Sequence, residues 1–170
     1  MGKLKGMVPF ITEDEINSMV KELARQIERD YVNKDLVLVC PLKGSVLFCA
    51  DLMRKLSLPL VVDFVHLTSP KGESVRILKD ISENVFQKDV LIVEEIIDAG
   101  RTLNFLRERI AASYPASLKI CTLLDKPARR EIPIRPDYVG KTIDDRYLIG
   151  YGLDSEEIGR NYKDIYNFAQ

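Results

Sequence analysis

Residues 90–102 read Val-Leu-Ile-Val-Glu-Glu-Ile-Ile-Asp-Ala-Gly-Arg-Thr. Four consecutive apolar residues, Val90 to Val93, predict a strand buried on both faces, as in parallel sheets. Read from sequence, this strand spans Val90 to Glu94. A second carboxylate, Glu95, follows, then Asp98, and Ala99-Gly100-Arg101-Thr102 opens a helix expected over Leu103 to Ala112. Ligands of open α/β sheets bind just beyond the carboxyl ends of the strands. A turn feeding a helix there presents free N–H groups and a positive dipole end, which suits a phosphate. Acids for hydroxyls or a metal, beside an amide nest for a phosphate, describe a site for a phosphorylated ribose.

The pattern extends outward on both sides. A helix is expected from about Thr12 to Tyr31, because Ile16, Met19, Val20, Leu23, Ala24 and Ile27 recur on one face. Thr12 and Glu15 form a capping box at its start. Leu36 to Cys40 is an apolar strand, Pro41 to Ser45 a turn, and an apolar helix runs on to about Leu56. Pro59 ends that unit, and further strands are expected at Leu60 to Leu67, Val75 to Leu78 and Ser117 to Leu124. Strands alternating with helices predict an α/β fold, a central mainly parallel sheet with right-handed crossovers and flanking helices. Residues 68–74 form a polar loop by composition. After Lys126, Pro127, Pro133 and Pro136 break the chain, and Tyr138-Val139, Tyr147 to Tyr151 and Ile165 to Phe168 are short apolar pieces. They suggest a small subdomain folded over the sheet. Tyr147 and Tyr151 read as residues on one face of a strand.

The 170 residues suit one domain with a sizeable core, and a 46% hydrophobic content excludes a disordered chain. Lys plus Arg number 25 against 26 for Asp plus Glu, which leaves no electrostatic footprint for nucleic acid or an anionic membrane. No stretch has the apolar length of a membrane span, and residues 1–6 lack the apolar core of a signal peptide. Cys40, Cys49 and Cys121 lie in apolar stretches with neither disulfide nor zinc spacing, and are expected as small buried thiols in a cytoplasmic protein. His66, the one histidine, is expected in the core or at the edge of a lid. No Gly-x-Gly-x-x-Gly follows the first strand, so a dinucleotide-binding oxidoreductase is disfavoured.

The 90–102 segment resembles the phosphoribosyl pyrophosphate signature of the type I phosphoribosyltransferases, and among them the hypoxanthine-guanine (6-oxopurine) salvage enzymes. Four further pieces fall in that family's order, so the resemblance covers roughly residues 10–168. Leu42-Lys43-Gly44-Ser45 is similar to the pyrophosphate loop, whose Leu-Lys peptide can be cis in relatives. Lys126 stands where a lysine contacts the purine O6, and a donor-only ammonium prefers an oxo group there. In Asp145 to Asp154, Tyr147 stands where an aromatic ring stacks on the base, and the Leu148 backbone where the base edge is read. Asp154 stands where relatives hold Mg²⁺, and Arg160 where an arginine contacts pyrophosphate.

The resemblance implies a single phosphoribosyltransferase domain over residues 1–170, with a core over about 10–126. A base-binding hood lies mainly in 127–170, with a possible N-terminal contribution. It implies transfer of a phosphoribosyl group to hypoxanthine or guanine, with Mg²⁺ as cofactor and a homodimeric or homotetrameric assembly. Glu94 and Glu95 would hold the ribose hydroxyls, directly or through Mg²⁺, with Glu94 and Asp154 as metal ligands. Asp98, Ala99, Gly100, Arg101 and Thr102 would cup the 5′-phosphate, and Asp98 would serve as general acid/base at purine N7. Lys43, Gly44 and Arg160 would bind pyrophosphate. Two residues depart from the family's signature: Glu95 replaces an Asp, and Ala99 replaces a Thr or Ser. Loss of that hydroxyl is worth about 0.5–1.5 kcal/mol, roughly tenfold in binding at most. Ser69-Pro70 also replaces the Ser-Tyr pair of a longer lid. A short lid leaves an alternative: a weak or inactive paralogue that binds nucleotide or phosphoribosyl pyrophosphate as a regulatory module.

Overall fold

The structure, a computed structural model, describes residues 8–69 and 74–167. The segment 1–7 and most of the expected lid, including Pro70, lie outside the described residues.

Helix α1 (Glu13–Asp30) begins at Thr12, whose Oγ1 accepts the Glu15 N–H at 3.3 Å while Glu15 Oε2 accepts the Thr12 N–H at 2.8 Å. The expected capping box is therefore present in both directions. Strands β2 (Leu36–Leu42), β3 (Leu60–Thr68), β4 (Arg76–Lys79), β5 (Asp89–Ile97), β6 (Ser117–Asp125) and β7 (Tyr138–Thr142) form one sheet in the order β4-β3-β2-β5-β6-β7. Every pairing is parallel except β3 with the edge strand β4. A second sheet, β1-β9-β8, joins β1 (Pro9–Ile11), β9 (Ile165–Asn167) and β8 (Leu148–Ile149). The N-terminal segment thus completes the small sheet built by the C-terminal one.

Alternation along the strands sends side chains to two cores. Leu36, Leu38, Cys40, Leu91 and Val93 pack with α1 and with α2 (Val46–Met53). Val37, Val39, Val90 and Ile92 pack on the other face against α3 (Arg101–Ala111), through Leu103, Leu106 and Ile110. Each such fully buried aliphatic side chain contributes about 1.5–3 kcal/mol of transfer free energy. The unbroken apolar runs of β2 and β5 follow from this double burial. No helix among the described residues is long and apolar enough to cross a membrane.

Several expectations are corrected. The signature strand runs to Ile97, three residues past Glu94, because Ile96 and Ile97 continue the ladder against Leu124 and Asp125 of β6. The acids therefore stand within the strand, and only Asp98 lies beyond it. Tyr138-Val139, expected in the small subdomain, pairs instead with Cys121 and Thr122 at the edge of the main sheet. The piece over Tyr147 to Tyr151 is a strand for Leu148–Ile149 alone: Tyr151 turns with φ 49° and is buried, whereas Tyr147 is 41% exposed. Cys40 and Cys49 form a disulfide, so only Cys121 is a free, buried thiol. Their Cα atoms lie 6.5 Å apart because the short turn from β2 folds α2 back over the strand. His66 is half-buried in β3 beside Leu42, as expected of a core or lid-edge residue.

Candidate active site

The site lies where the main sheet opens. β2 and β5 pair from Leu36 opposite Asp89 to Val39 opposite Ile92. Beyond that point β2 continues against β3 through Leu42, and β5 continues against β6 through Ile97. The two central strands therefore part at their carboxyl ends. β2 leads away to β3 on one side and β5 to β6 on the other, so the opening is also the topological switch point, where α/β sheets bind ligands.

Two adjoining cavities occupy this end. One, of about 330 Å³, is lined by Glu94, Ile96 and the bend from Asp98 through Leu103. Gly100, the residue before α3, has φ 85°, a left-handed conformation that suits glycine, and a Cβ there would stand 2.7 Å from Ile134 Cγ2. The bend thus leads directly into the amino end of a helix, with the N–H groups of its first turn free of intrahelical partners. The Arg101 side chain is ion-paired with Glu131. The second cavity, about 290 Å³, is lined by Lys43, Gly44, Glu94, Glu95, Thr102, Asp154 and Arg160 among others. Glu94 and Thr102 border both.

The Leu42–Lys43 peptide is cis, as relatives of the resembled family allow. At Gly44 a Cβ would stand 1.8 Å from Glu95 Oε1, so the longer acid at position 95 lies across the opening directly over this glycine. Among the described residues, Glu95 Oε2 is buried with no hydrogen-bond partner. Burial first, and the neighbouring Glu95 second, push the Glu94 carboxyl well above its usual range. Two crowded acids with an unsatisfied oxygen form a donor set that a divalent cation would complete. Among the described residues no three acids, cysteines or histidines converge on one point. Asp154, on the far wall, already pairs with Arg160 at 2.8 Å and accepts the Glu157 N–H at 2.8 Å.

A chain of charges joins the bend to the small sheet. Arg129 Nε donates to Asp98 Oδ1 at 3.1 Å, and its other arm lies 3.7 Å from Asp145. Lys126, only 6% exposed, donates to the Arg146 carbonyl at 2.5 Å and lies 3.8 Å from Asp145. Lys126 therefore reaches the segment that leads into Tyr147 and Leu148, the latter buried in β8. Arg130 ties the Asp98 carbonyl to the Asp125 carboxylate. The structure brings the expected phosphate, acid and cation residues around the two adjoining cavities, whereas Lys126, Tyr147 and Leu148 line neither. Sequence reasoning passed over Arg129, Arg130, Asp145 and Glu157. The Arg-Arg pair three residues past Lys126 was the available signal for two of them.

Comparison with known proteins agrees with this geometry. Residues 12–156 match the phosphoribosyl transferase domain family. The chain is 42% identical over 157 residues to a hypoxanthine-guanine phosphoribosyltransferase of Staphylococcus aureus, covering 89% of this chain and 88% of that one. It is 46% identical over 152 residues to a hypoxanthine phosphoribosyltransferase of Salmonella typhimurium, covering 85% of each. A crystal structure of a hypoxanthine-guanine phosphoribosyltransferase from Bacillus anthracis superposes with a TM-score of 0.93 at 41% identity, over 95% of this chain and 98% of that one. With the fold, the opening between β2 and β5 and these likenesses in agreement, this chain belongs to the phosphoribosyl transferase family.

Proposed function

We propose that the chain is a Mg²⁺-dependent purine-salvage transferase. It joins a 6-oxopurine base, hypoxanthine or guanine, to phosphoribosyl pyrophosphate and releases the nucleoside 5′-monophosphate and pyrophosphate. The observation that carries the reading is the opening itself, with crowded acids in its floor, an amide-lined bend on one side and Lys43 with Arg160 on the other. In this reading the bend Asp98 to Thr102 holds the 5′-phosphate, and Glu94 and Glu95 hold the ribose hydroxyls. Lys43, the Gly44 backbone and Arg160 hold pyrophosphate. Bound Mg²⁺, held by Glu94 and Asp154, would offset charge on the departing pyrophosphate.

The bond from the ribose carbon to pyrophosphate breaks as the bond to the purine nitrogen forms, through an oxocarbenium-like state. Asp98 manages the proton at purine N7, and Arg129 at 3.1 Å holds its carboxylate in place. Lys126 donates to the 6-oxo group, the Tyr147 ring stacks on the base, and the Leu148 backbone reads its edge. Residues 1–170 act as one domain, with the small sheet as the hood over the base. The protein works in the cytoplasm as a homodimer or homotetramer.

The test is ultraviolet absorbance with hypoxanthine, guanine and xanthine in turn, each with phosphoribosyl pyrophosphate and Mg²⁺. Turnover of hypoxanthine or guanine is the expected result; saturable binding without turnover on any base would leave a regulatory module instead. Asp98→Asn should lower turnover by about 10²–10⁴-fold, the usual worth of a general acid/base, with far less effect on phosphoribosyl pyrophosphate binding. Unchanged turnover would remove Asp98 from its role.

A further inference from the structure

The two cations assigned to pyrophosphate are already bridged by an anion of the protein. Glu157 Oε2 lies 3.0 Å from Lys43 Nζ and 3.3 Å from an Arg160 guanidinium nitrogen. The same guanidinium pairs with Asp154, and the Glu157 N–H is bonded to that Asp154 carboxylate, so the four residues form one closed network.

The backbone that presents Glu157 is unusual. Ser155 and Ile158 exchange N–H···O bonds of 2.9 and 3.0 Å around a two-residue turn. Its central residues, Glu156 and Glu157, have φ of 52° and 65°. Positive φ at both central positions is the mark of a type I′ turn, which favours Asn-Gly. Two glutamates there are strained, and strain of this kind is retained where the position of a side chain matters.

We propose that Glu157 is an internal counter-anion that stands in for pyrophosphate in the ligand-free site and is displaced when phosphoribosyl pyrophosphate or pyrophosphate binds. This rests on the assignment of Lys43 and Arg160 to pyrophosphate. A ligand phosphate must break the Lys43–Glu157 and Arg160–Glu157 pairs before it gains its own, so Glu157 lowers affinity for the diphosphate group and hastens its release. Lys43 and Glu157 are 54% and 63% exposed, so the exchange is screened and its effect modest.

The test is Mg-pyrophosphate binding by calorimetry for the full chain and for Glu157→Gln, Glu156→Gln, Lys43→Gln and Arg160→Gln. Glu157→Gln should bind pyrophosphate about three- to tenfold more tightly and lower the KM for phosphoribosyl pyrophosphate. Glu156→Gln, which removes the same charge one residue away, should change neither. The gain from Glu157→Gln should shrink when Lys43 is already Gln, because one of the two pairs to be broken is gone. Equal gains from both glutamine variants would reduce the effect to net charge and overturn the proposal, as would unchanged or weaker binding by Glu157→Gln. If Lys43→Gln and Arg160→Gln bind pyrophosphate as the unaltered chain does, the assignment of the two cations fails as well.

Discussion

Asp63 in β3 and Glu94 in β5 are acids on the two strands that flank β2, and their surroundings are opposite. Asp63 is buried, yet it accepts N–H groups from Phe64 at 2.7 Å, from Glu83 at 2.9 Å and from Ser82, and Lys79 stands 3.2 Å away. Burial alone would raise its pKa; the N–H groups of Glu83, Ser82 and Phe64 and the lysine outweigh that and leave it lowered. Ser82 and Glu83 come from the segment after β4, so the carboxylate pins that segment to the sheet. Glu94 accepts the Glu95 N–H at 3.2 Å, and among the described residues Glu95 Oε2 has no hydrogen-bond partner. Its pKa moves up, by burial and then by Glu95. A fully partnered buried acid is part of the fold, whereas two crowded acids with a buried, unsatisfied oxygen suit a ligand.

This contrast is broken most sharply by substitution. Glu94→Gln should weaken phosphoribosyl pyrophosphate binding on the order of thirtyfold, about 2 kcal/mol, while leaving the melting temperature unchanged or higher. A large loss of stability with intact binding would reverse its assigned role. Asp63→Asn should do the opposite, lowering stability by about 1–2 kcal/mol in urea unfolding with Michaelis constants within about twofold.

The same contrast predicts opposite pH dependence. Asp63 has a lowered folded pKa, so its stabilisation is complete above its unfolded value, about 3.8–3.9, and fades as pH falls through the folded value. The stability gap between the parent and Asp63→Asn should therefore narrow toward pH 3. Glu94 has a raised folded pKa, so its ionisation destabilises the ligand-free fold as pH climbs above the unfolded value, about 4.3–4.5, toward the folded one. Glu94→Gln should gain stability relative to the parent over that rise, and a gap independent of pH would contradict the shift. The smallest effect belongs to the amino end of the sheet. A cavity of about 320 Å³ there is lined by Pro59, Leu60, Leu36 and Val37, with Asp35 and Lys88 as its charges. Lys88 makes one surface pair, to Glu83 at 3.8 Å, so Lys88→Ala should change stability by less than about 0.5 kcal/mol and leave kinetics untouched.

Much of this was legible because local signals agreed with the fold. Val90 to Val93 is apolar on both faces because α1 and α2 cover one side and α3 the other, and Thr12 with Glu15 marked a helix start that depends on nearby residues alone. Read from sequence, the strand ends at Glu94 and leaves Glu95 beyond it because carboxylates usually end burial; the register against Leu124 and Asp125 carries β5 on to Ile97. Pairing of Tyr138 with β6 and the approach of Cys49 to Cys40 depend on how separate elements meet, which spacing along the chain does not encode. Lys43, Asp154 and Arg160 were singled out by resemblance, and they line one cavity. Glu157 was not, since an acid beside an arginine reads as a solvated surface until its reach to Lys43, 114 residues away in sequence, is seen.

The most direct measurement is a crystal structure of the protein with a nucleoside 5′-monophosphate and Mg²⁺. The account predicts the phosphate within hydrogen-bond distance of the N–H groups from Ala99 to Thr102, with the ribose hydroxyls over Glu94 and Glu95. A phosphate seated elsewhere, or a ribose turned away from the opening between β2 and β5, would contradict it.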